Sequence, residues 1–397
     1  MSLSTAPALV GLAALTVVAH WLLVPPRARP AFLALASVVL VALLDPVSAL
    51  AGTLCAALVL LCAPALAGGR SRRGRLVLAG AVALLISSLC LLKYGPPLTG
   101  GSAPRAADAG ADTTAMLLPL GFSFVVFRSI HVLVELSRGR LAVPRPSDLL
   151  GYLLFFPTFL AGPLERFPRF VEPLRAPRRF DPADLRAGLL RILVGAFRKI
   201  VLAELLAQHV RPVLGAPDAY APGVVLLAVY GAALWLYMDF AGYTDIALGL
   251  ARLLGFRLVE NFDRPFLAAS IAAFWRRWHI SLYAFIRDYF FLPLFGTRAS
   301  RVKTWCGVIC TMVVFMLWHG AEWRWLVLGL FHGGALVVWS LVQDAKPRRP
   351  RLRRALASPA GVAACWLLTQ HVVAFGFLLF FFDLGQVGAI LTALAGR

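Results

Sequence analysis

The segment CGVICTMVVFMLWHG (residues 306–320) ends a long apolar run on a histidine, His319. An uninterrupted run of this kind is typical of a helix buried in protein or in a membrane. A titratable imidazole is costly in such surroundings and therefore calls for a reason. A second histidine, His279, lies in the segment FWRRWHIS (274–281), among charges that a bilayer tolerates only beside protein, water or a substrate path. The two histidines together indicate acid/base chemistry inside a membrane.

Composition assigns the whole chain to the class of integral membrane proteins. Of its 397 residues, 60% are hydrophobic and 15% are charged, and the mean hydropathy is +0.79. Apolar runs recur at 6–25, 31–44, 47–67, 76–92, 115–135, 149–162, 189–207, 222–243, 305–319, 323–342 and 358–382. We predict one all-α polytopic membrane domain over 1–397, with about ten or eleven transmembrane helices plus re-entrant or interfacial segments. The first run lacks a basic leader and a clear cleavage site, so we interpret it as a transmembrane helix rather than a secretory signal.

The net charge of +20 comes mainly from arginines in short loops between apolar runs. This pattern is typical of cytoplasmic loops and of attraction to anionic headgroups, so no nucleic-acid partner is expected. The clusters are Arg70, Arg72, Arg73 and Arg75; Arg175, Arg178 and Arg179; and Arg348, Arg349, Arg351, Arg353 and Arg354. The six cysteines lack the spacing of a metal site, and we expect free thiols and no metal.

Two stretches do not fit a simple bundle of helices. Six prolines between Pro157 and Leu185 forbid one continuous helix, and the interleaved Arg and Phe residues suit an interfacial or re-entrant segment. The stretch from Asp239 to Gly296 carries many charges, each of which would cost ~3 kcal/mol or more facing lipid. We therefore expect this block to face protein, a watery cavity or the interface, as the wall of an active-site funnel.

His279 has two possible roles at this point. On a continuous helix, Trp275 and Arg276 would share its face, and the nearby cation would lower the histidine pKa and keep the ring neutral. A neutral imidazole suits a base or a hydrogen-bond partner. The alternative is that WRRW is an interfacial anchor, with tryptophan at the headgroup level and arginine on phosphate.

His319 is the stronger candidate for a base. Gly320 follows it directly and permits a helix end or the close approach of a backbone or substrate. A histidine at the inner end of an apolar helix can take a proton from a hydroxyl in a water-poor site. Glu322 could orient its ring or be an interfacial charge, and a histidine that caps the helix by its dipole is the structural alternative. His332 would lie almost opposite His319 on a continuous helix, so we interpret it as structural.

Several ordered motifs now identify a resemblance. They are PLGFSFVVF (119–127), FFPTFLAGPLERFPRF (155–170), DFAGYTDIALGLARLLGF (239–256), ENFDRPF (260–266), FWRRWHISLYAFIRDYFFLPLFG (274–296) and LWHGAEWRWLVLGLFHG (317–333). They resemble the membrane-bound O-acyltransferase (MBOAT) family, in the bacterial branch of alginate O-acetylation and D-alanyl-teichoic-acid transfer proteins. The resemblance covers roughly residues 90 to 382.

The resemblance implies a ring of membrane helices around a central tunnel, in the bacterial cytoplasmic (inner) membrane. It implies acyl transfer from a cytoplasmic thioester to hydroxyls of an extracytoplasmic envelope polymer or its precursor. The donor would be an acyl carrier protein's phosphopantetheine arm or an acyl-CoA, with no permanently bound cofactor and a possible periplasmic or membrane partner acyltransferase. His319 takes the place of the family's catalytic base and His279 that of a second active-site residue. Around them we expect substrate-binding or tunnel-lining residues, namely Trp275, Arg276, Trp278, Trp318, Asp239, Asp288 and Asn261.

The resemblance leaves the acyl group open. Three features favour D-alanyl transfer: FPT before GPLERF, the segment DFAGY, and the end of the chain soon after VAFGFLLFFFDLG. Two segments favour acetylation, RDYFFLPLFG and LWHGAEW. Glu322 departs from the branch's usual small or hydroxylated residue. A different class of protein, a transporter or flippase for an envelope precursor, would line its pathway with the charged 239–296 block, but we find no repeat relating two halves. A structural scaffold is a third interpretation, in which His279 and His319 tolerate substitution.

Overall fold

Helices account for nearly all the regular structure in the computed structural model, which describes residues 5–67, 71–98, 119–176, 179–297 and 300–396. Within these ranges the one pairing of extended chain is an isolated antiparallel bridge between Phe262 and Trp278. The predicted all-α polytopic fold class is confirmed. Arg70, Arg178 and residues 99–118 lie outside the described residues.

The helices of the N-terminal part are α1 (Thr5–Leu22), α2 (Arg29–Leu44), α3 (Pro46–Ala67), α4 (Arg72–Leu98), α5 (Phe122–Ser137), α6 (Pro146–Leu153), α7 (Phe167–Arg175), α8 (Pro182–Ala196) and α9 (Ala203–Gly215). The helices that follow are α10 (Pro222–Leu253), α11 (Ile271–Arg277), α12 (Ile280–Ile286), α13 (Leu292–Phe295), α14 (Arg301–Leu317), α15 (Trp323–Ala345), α16 (Pro350–Ala357), α17 (Pro359–Phe381) and α18 (Leu384–Leu394). Two π-helical segments, Phe197–Leu202 and Arg287–Phe291, precede α9 and α13.

Six helical segments of the described chain are long and apolar enough to cross a membrane. They are Pro26–Leu44, Pro46–Ala67, Arg72–Gly95, Pro222–Leu253, Trp323–Arg348 and Pro359–Phe381. Two shorter apolar helices, Ala8–Leu22 and Leu384–Leu394, accompany them. The number of full-length spans is thus smaller than the ten or eleven membrane helices expected from the apolar runs.

Proline, charge and length explain why other apolar runs give shorter helices. The run 149–162 ends its helix at Leu153, shortly before Pro157. The run 189–207 carries Arg198 and Lys199 and is interrupted by the first π-helical segment. Helix α14 has 17 residues, which at ~1.5 Å per residue falls short of a hydrocarbon core about 30 Å thick.

The contacts divide the chain into two compact units. Unit 1 comprises residues 1–193 and 244–259, and unit 2 comprises residues 194–243 and 260–397. The expectation of a single membrane-embedded domain stays a prediction.

In unit 1, a buried arginine organises the proline-rich stretch. Arg128 of α5 is 2% exposed and donates hydrogen bonds to the carbonyl oxygens of Tyr152, Leu153 and Thr158 at 3.0–3.2 Å. These carbonyls lie where the chain leaves α6, so the guanidinium replaces the helical hydrogen bonds that the prolines prevent. As predicted, no continuous helix runs through the described part of 157–185. An interfacial or re-entrant position for this segment stays a prediction.

Ion pairs inside unit 1 explain part of the charged block. Asp184 of α8 accepts hydrogen bonds from Arg252 at 3.0 Å and Arg257 at 3.1 Å. Asp245 accepts one from Arg191 at 2.9 Å. These charges of the 239–296 block therefore face protein partners, as expected for charges within a largely apolar chain.

In unit 2, helices α14 and α15 form a hairpin whose backbones touch. A Cβ atom at Gly329 would lie 2.6 Å from the Cα of Val313, and one at Gly333 would lie 2.9 Å from the Cα of Ile309. The two contacts run in opposite directions along the chain, so the helices are antiparallel. Small residues four apart allow this close approach in apolar surroundings, where packing replaces the hydrophobic effect between helices.

We predict that Gly329→Ala or Gly333→Ala destabilises the protein by about 1–3 kcal/mol, because the added methyl group overlaps backbone atoms that cannot move aside easily. Thermal unfolding of the purified protein in detergent measures the effect. The matched control is Gly334→Ala, since no atom lies within 4 Å of the Cβ position at Gly334. Equal unfolding temperatures for the Gly333 and Gly334 variants would contradict the prediction.

Candidate active site

His279 lies in a turn between two short helices of unit 2. Helix α11 ends at Arg277, and His279 adopts a left-handed conformation with φ of 45° immediately before α12. The prediction that Trp275 and Arg276 share a helical face with His279 is wrong, because the helix does not continue through residue 278. A left-handed non-glycine residue is uncommon and requires support from its surroundings.

Asn261 supplies much of that support. Its backbone carbonyl accepts a hydrogen bond from the Ile280 amide at 2.9 Å, and its Oδ1 accepts one from the Ser281 hydroxyl at 2.6 Å. The same two chain segments are joined by the bridge between Phe262 and Trp278. Asn261 is fully buried, so these contacts hold the two residues that follow His279 in a place that water does not reach. Asn261 is thus a positioning residue for this turn.

Burial determines the charge state of His279. Its side chain is 4% exposed, and its ring packs edge-on against Phe240 at 4.8 Å between ring centroids. Desolvation by this burial lowers the pKa of His279 to about 3, because an imidazolium ion loses its hydration there. The ring is therefore neutral at physiological pH, as the sequence predicted, although burial rather than Arg276 is the cause.

His319 lies in the turn between α14 and α15, inside an aromatic niche. Its ring stacks on Trp325 at 5.0 Å and contacts the edges of Trp318 at 4.7 Å and Phe380 at 5.0 Å. Gly320 makes the stack possible, since a Cβ atom there would lie 2.5 Å from the Trp325 Nε1. The atoms that approach Gly320 thus belong to an indole side chain, and the approach of a substrate there stays a prediction.

Glu322 points to an arginine. It directly precedes α15, is exposed, and accepts a hydrogen bond from Arg324 at 2.8 Å. The Arg324 guanidinium lies over the Trp325 ring at 4.8 Å. The contact that the structure shows for Glu322 therefore supports the indole that stacks on His319.

A continuous series of ring contacts joins the two histidines within unit 2. Neighbouring rings in it are 4.8–5.5 Å apart between centroids. In order, the members are His279, Phe240, Phe262, Trp278, Phe377, Phe380 and His319. The histidines thus belong to one aromatic wall, although they lie 40 residues apart in the sequence.

The other predicted site residues fall into two groups. The indole of Trp275 is buried against Phe315 at 5.5 Å, and Arg276 beside it is exposed. Asp239 forms an ion pair with Lys199 of the first π-helical segment. Asp288, in the second such segment, pairs with Arg287 at 2.8 Å. Asp288 therefore lies in a π-helical segment, and Asp239 of α10 pairs with a lysine of the other one; such segments are frequent near functional sites.

Sequence reasoning missed Trp325, which stacks on His319 at one end of this wall. Nothing in the sequence around Trp325 indicated a contact with His319, apart from its position six residues later in the chain. His332, interpreted as structural, is fully buried beside Trp275 at 5.1 Å, and neither of its ring nitrogens has a hydrogen-bond partner among the described residues. Gly376 leaves room for the His332 ring, because a Cβ atom at residue 376 would lie 2.5 Å from the His332 Nε2.

Comparison with known proteins identifies the family. The sequence profile of the membrane-bound O-acyltransferase family matches residues 77–380. The chain belongs to this family. The family assignment made from the motifs is confirmed, and both histidines lie within the matched region.

Relatives in the family act on several envelope polymers. The chain is 34% identical over 270 residues to a probable alginate O-acetylase of Azotobacter vinelandii, covering 67% of this chain and 51% of that protein. It is 32% identical over 272 residues to a teichoic acid D-alanyltransferase of Streptococcus thermophilus, covering 64% of this chain and 62% of that protein. It is 29% identical over 256 residues to a peptidoglycan O-acetyltransferase of Helicobacter pylori, covering 57% of this chain and 48% of that protein. The aligned region thus spans between 48% and 62% of the length of these relatives.

We predict that His279 makes the stability of this family member fall in acid. In the unfolded chain the imidazole has a pKa of about 6.5 and is protonated below that pH. In the folded protein the pKa is about 3, so the ring stays neutral down to about that pH. Stability that depends on the neutral ring is therefore complete above about pH 6.5 and is lost as the pH falls toward about 3.

Thermal unfolding in detergent between about pH 7 and about pH 4 checks this sign. The unfolding temperature of the native protein should fall more steeply with acidification than that of His279→Gln. His209→Gln, at an exposed position of α9, is the control and should follow the native curve. Parallel curves for the native protein and His279→Gln would contradict the prediction.

Proposed function

We propose that the chain is an O-acyltransferase of the bacterial cytoplasmic membrane. It moves an acyl group, D-alanyl or acetyl, from a cytoplasmic thioester to hydroxyls of an extracytoplasmic envelope polymer or its precursor. The observation that carries the proposal is His319 in its aromatic niche, inside a region that matches an acyltransferase family over residues 77–380. The relatives' actions on alginate, teichoic acid and peptidoglycan support a polymer acceptor and leave its identity open.

The chemistry assigned to His319 is general base catalysis. In its neutral form the imidazole takes the proton of an acceptor hydroxyl, and the oxygen attacks the thioester carbonyl carbon. The C–S bond then breaks, an ester remains, and the proton passes from the imidazolium to the leaving thiolate. Positioned proton transfer of this kind typically contributes ~10²–10⁴-fold to a rate.

The surroundings of His319 suit this role. Trp325, Trp318 and Phe380 cover its ring on several sides but leave the residue half-buried, so one part stays open to a substrate. Aromatic walls exclude water, which would otherwise compete with the hydroxyl for the thioester. His279, neutral and held by the Asn261 contacts, is assigned as a second polar group that orients the acceptor or the thioester.

Replacing His319 by alanine should lower acyl transfer by about 10²–10⁴-fold, since the base is removed while the niche is kept. The assay uses purified protein in liposomes, with a D-alanyl-loaded carrier protein or acetyl-CoA as donor. Teichoic acid and alginate fragments serve as acceptors, and ester formation is the readout. Unfolding temperature shows that the variant is folded.

The control for this experiment is His209→Ala, whose side chain is exposed on α9. Full ester formation by folded His319→Ala protein would refute the assigned base. Translocation of an envelope precursor across liposomes with no ester formed would favour the transporter instead.

A carrier-protein donor would need a basic docking surface, and we place it on the proline-rich stretch of unit 1. Helix α7 buries Phe167, Phe170 and Val171 on one side. Its Arg169 and Arg175 are largely exposed, and Arg175 is held by the buried Asp148 at 3.2 Å. Arg179, soon after α7, is also exposed. Acyl carrier proteins are acidic, so such a surface attracts them over long range.

Charge reversal by Arg169→Glu together with Arg179→Glu should weaken carrier binding about tenfold at low salt, and by less at high salt, because screening removes the attraction. Titration of the fluorescently labelled carrier into protein in nanodiscs measures this. Arg353→Glu, on the basic helix α16, is the matched control. Loss of binding only in the Arg353 variant would move the dock to α16, and binding unchanged in both would rule out an electrostatic dock on either helix.

A further inference from the structure

A cavity in unit 2 is lined neither by His279 or His319 nor by the rings that connect them. Its volume is about 370 Å³, within the range of small-molecule sites. It lies between α11 and α12 on one side and the α14–α15 hairpin on the other. The lining residues used below are Arg276, Arg287, Trp305, Val308, Thr311 and Phe315.

The cavity is a slot along one face of α14. The α14 residues that line it run from Thr304 to Phe315 at helical spacing, a distance of about 16 Å at ~1.5 Å per residue. One leaflet of a hydrocarbon core is about 15 Å thick. The slot is therefore as long as a single acyl chain of a membrane lipid.

Two polar groups along the slot already have partners in the protein, whereas the buried indole N–H of Trp275 has none among the described residues. The Thr311 hydroxyl donates to the Gly307 carbonyl at 2.6 Å, and the Trp305 indole N–H donates to the Ser340 hydroxyl at 3.2 Å. A ligand rich in amides, such as a pantetheine arm, would find few polar partners there and would lose its hydration. An alkyl chain has no polar groups to desolvate on entering, and it makes apolar contacts along the slot.

The α11–α12 side of the slot carries positive charge. Arg276 and Arg287 line it and are exposed, and no carboxylate is among the described residues that line the slot. Arg287 is paired with Asp288 at 2.8 Å, whereas Arg276 has no ion-pair or hydrogen-bond partner among the described residues. Basic residues beside an apolar slot between membrane helices are suited to anionic headgroups.

We propose that this slot binds one anionic glycerophospholipid, with an acyl chain along α14 and its phosphate on Arg276, next to Arg287. The bound lipid fills the space between the short helices and the α14–α15 hairpin. It ends against Phe315, whose ring lies 6.3 Å from that of His319. The site does not depend on the proposed acyl transfer, because it needs neither donor nor acceptor.

The test uses the full chain, purified in detergent, with phosphatidylglycerol and phosphatidylcholine of the same acyl chains. Native mass spectrometry measures occupancy and thermal unfolding measures stabilisation. We expect phosphatidylglycerol to bind at least tenfold more tightly and to raise the unfolding temperature more. Arg276→Gln should remove this preference, while Arg353→Gln on α16 should keep it.

A second pair of variants tests the acyl chain. Val308→Phe fills the slot and should lower phosphatidylglycerol occupancy at least tenfold, whereas Cys310→Phe, at an exposed position of the same helix, should not. The proposal is overturned if Val308→Phe binds phosphatidylglycerol as tightly as the native protein, or if the native protein does not distinguish the two lipids. The proposal is also overturned if the native protein binds acetyl-CoA but not phosphatidylglycerol, and if Val308→Phe abolishes the binding of acetyl-CoA. The slot would then be a donor site.

Discussion

The site depends on a requirement that apolar surroundings impose, namely that buried polar groups find their partners within the protein. The left-handed turn at His279 persists because the backbone and side chain of Asn261 accept hydrogen bonds from the two residues that follow it. Arg128 meets the same requirement in unit 1, where it replaces the helical hydrogen bonds missing around the prolines. Each polar group fixes the course of a chain segment that hydrophobic packing alone would leave undetermined.

Absent side chains matter as much as present ones in unit 2. Gly329 brings the backbones of α14 and α15 together, Gly320 lets the Trp325 indole stack on His319, and Gly376 leaves room for the His332 ring. Where each glycine lies, a Cβ atom would come within 3 Å of a neighbouring atom, a distance that real Cβ atoms essentially never show. Aromatic rings then fill the space between backbones. The result is a rigid wall of rings, which suits a site that has to hold an imidazole in one orientation and keep water away.

Much of the candidate site could be predicted from the sequence because its signals are local. A histidine at the end of an apolar run, a glycine after it and a stretch broken by prolines are visible one segment at a time. The surroundings of His279 could not be predicted in this way. Residues 274–279 have a helical pattern, and the segment RRWHIS does not predict a left-handed histidine. That conformation is imposed by Asn261, which lies 18 residues earlier in the chain. The contact of Trp325 with His319 was missed for the same reason, because it joins residues of different segments.

The sequence by itself determined the membrane class, the family and the two histidines, since hydropathy and ordered motifs are properties of consecutive residues. Only the tertiary structure decided which rings surround each histidine, which arginine pairs with Glu322, and that a slot lies beside α14. Those features join residues far apart in the chain, and they depend on how closely helices approach. That approach is set by the packing of particular side chains and glycines against one another, which no local pattern records.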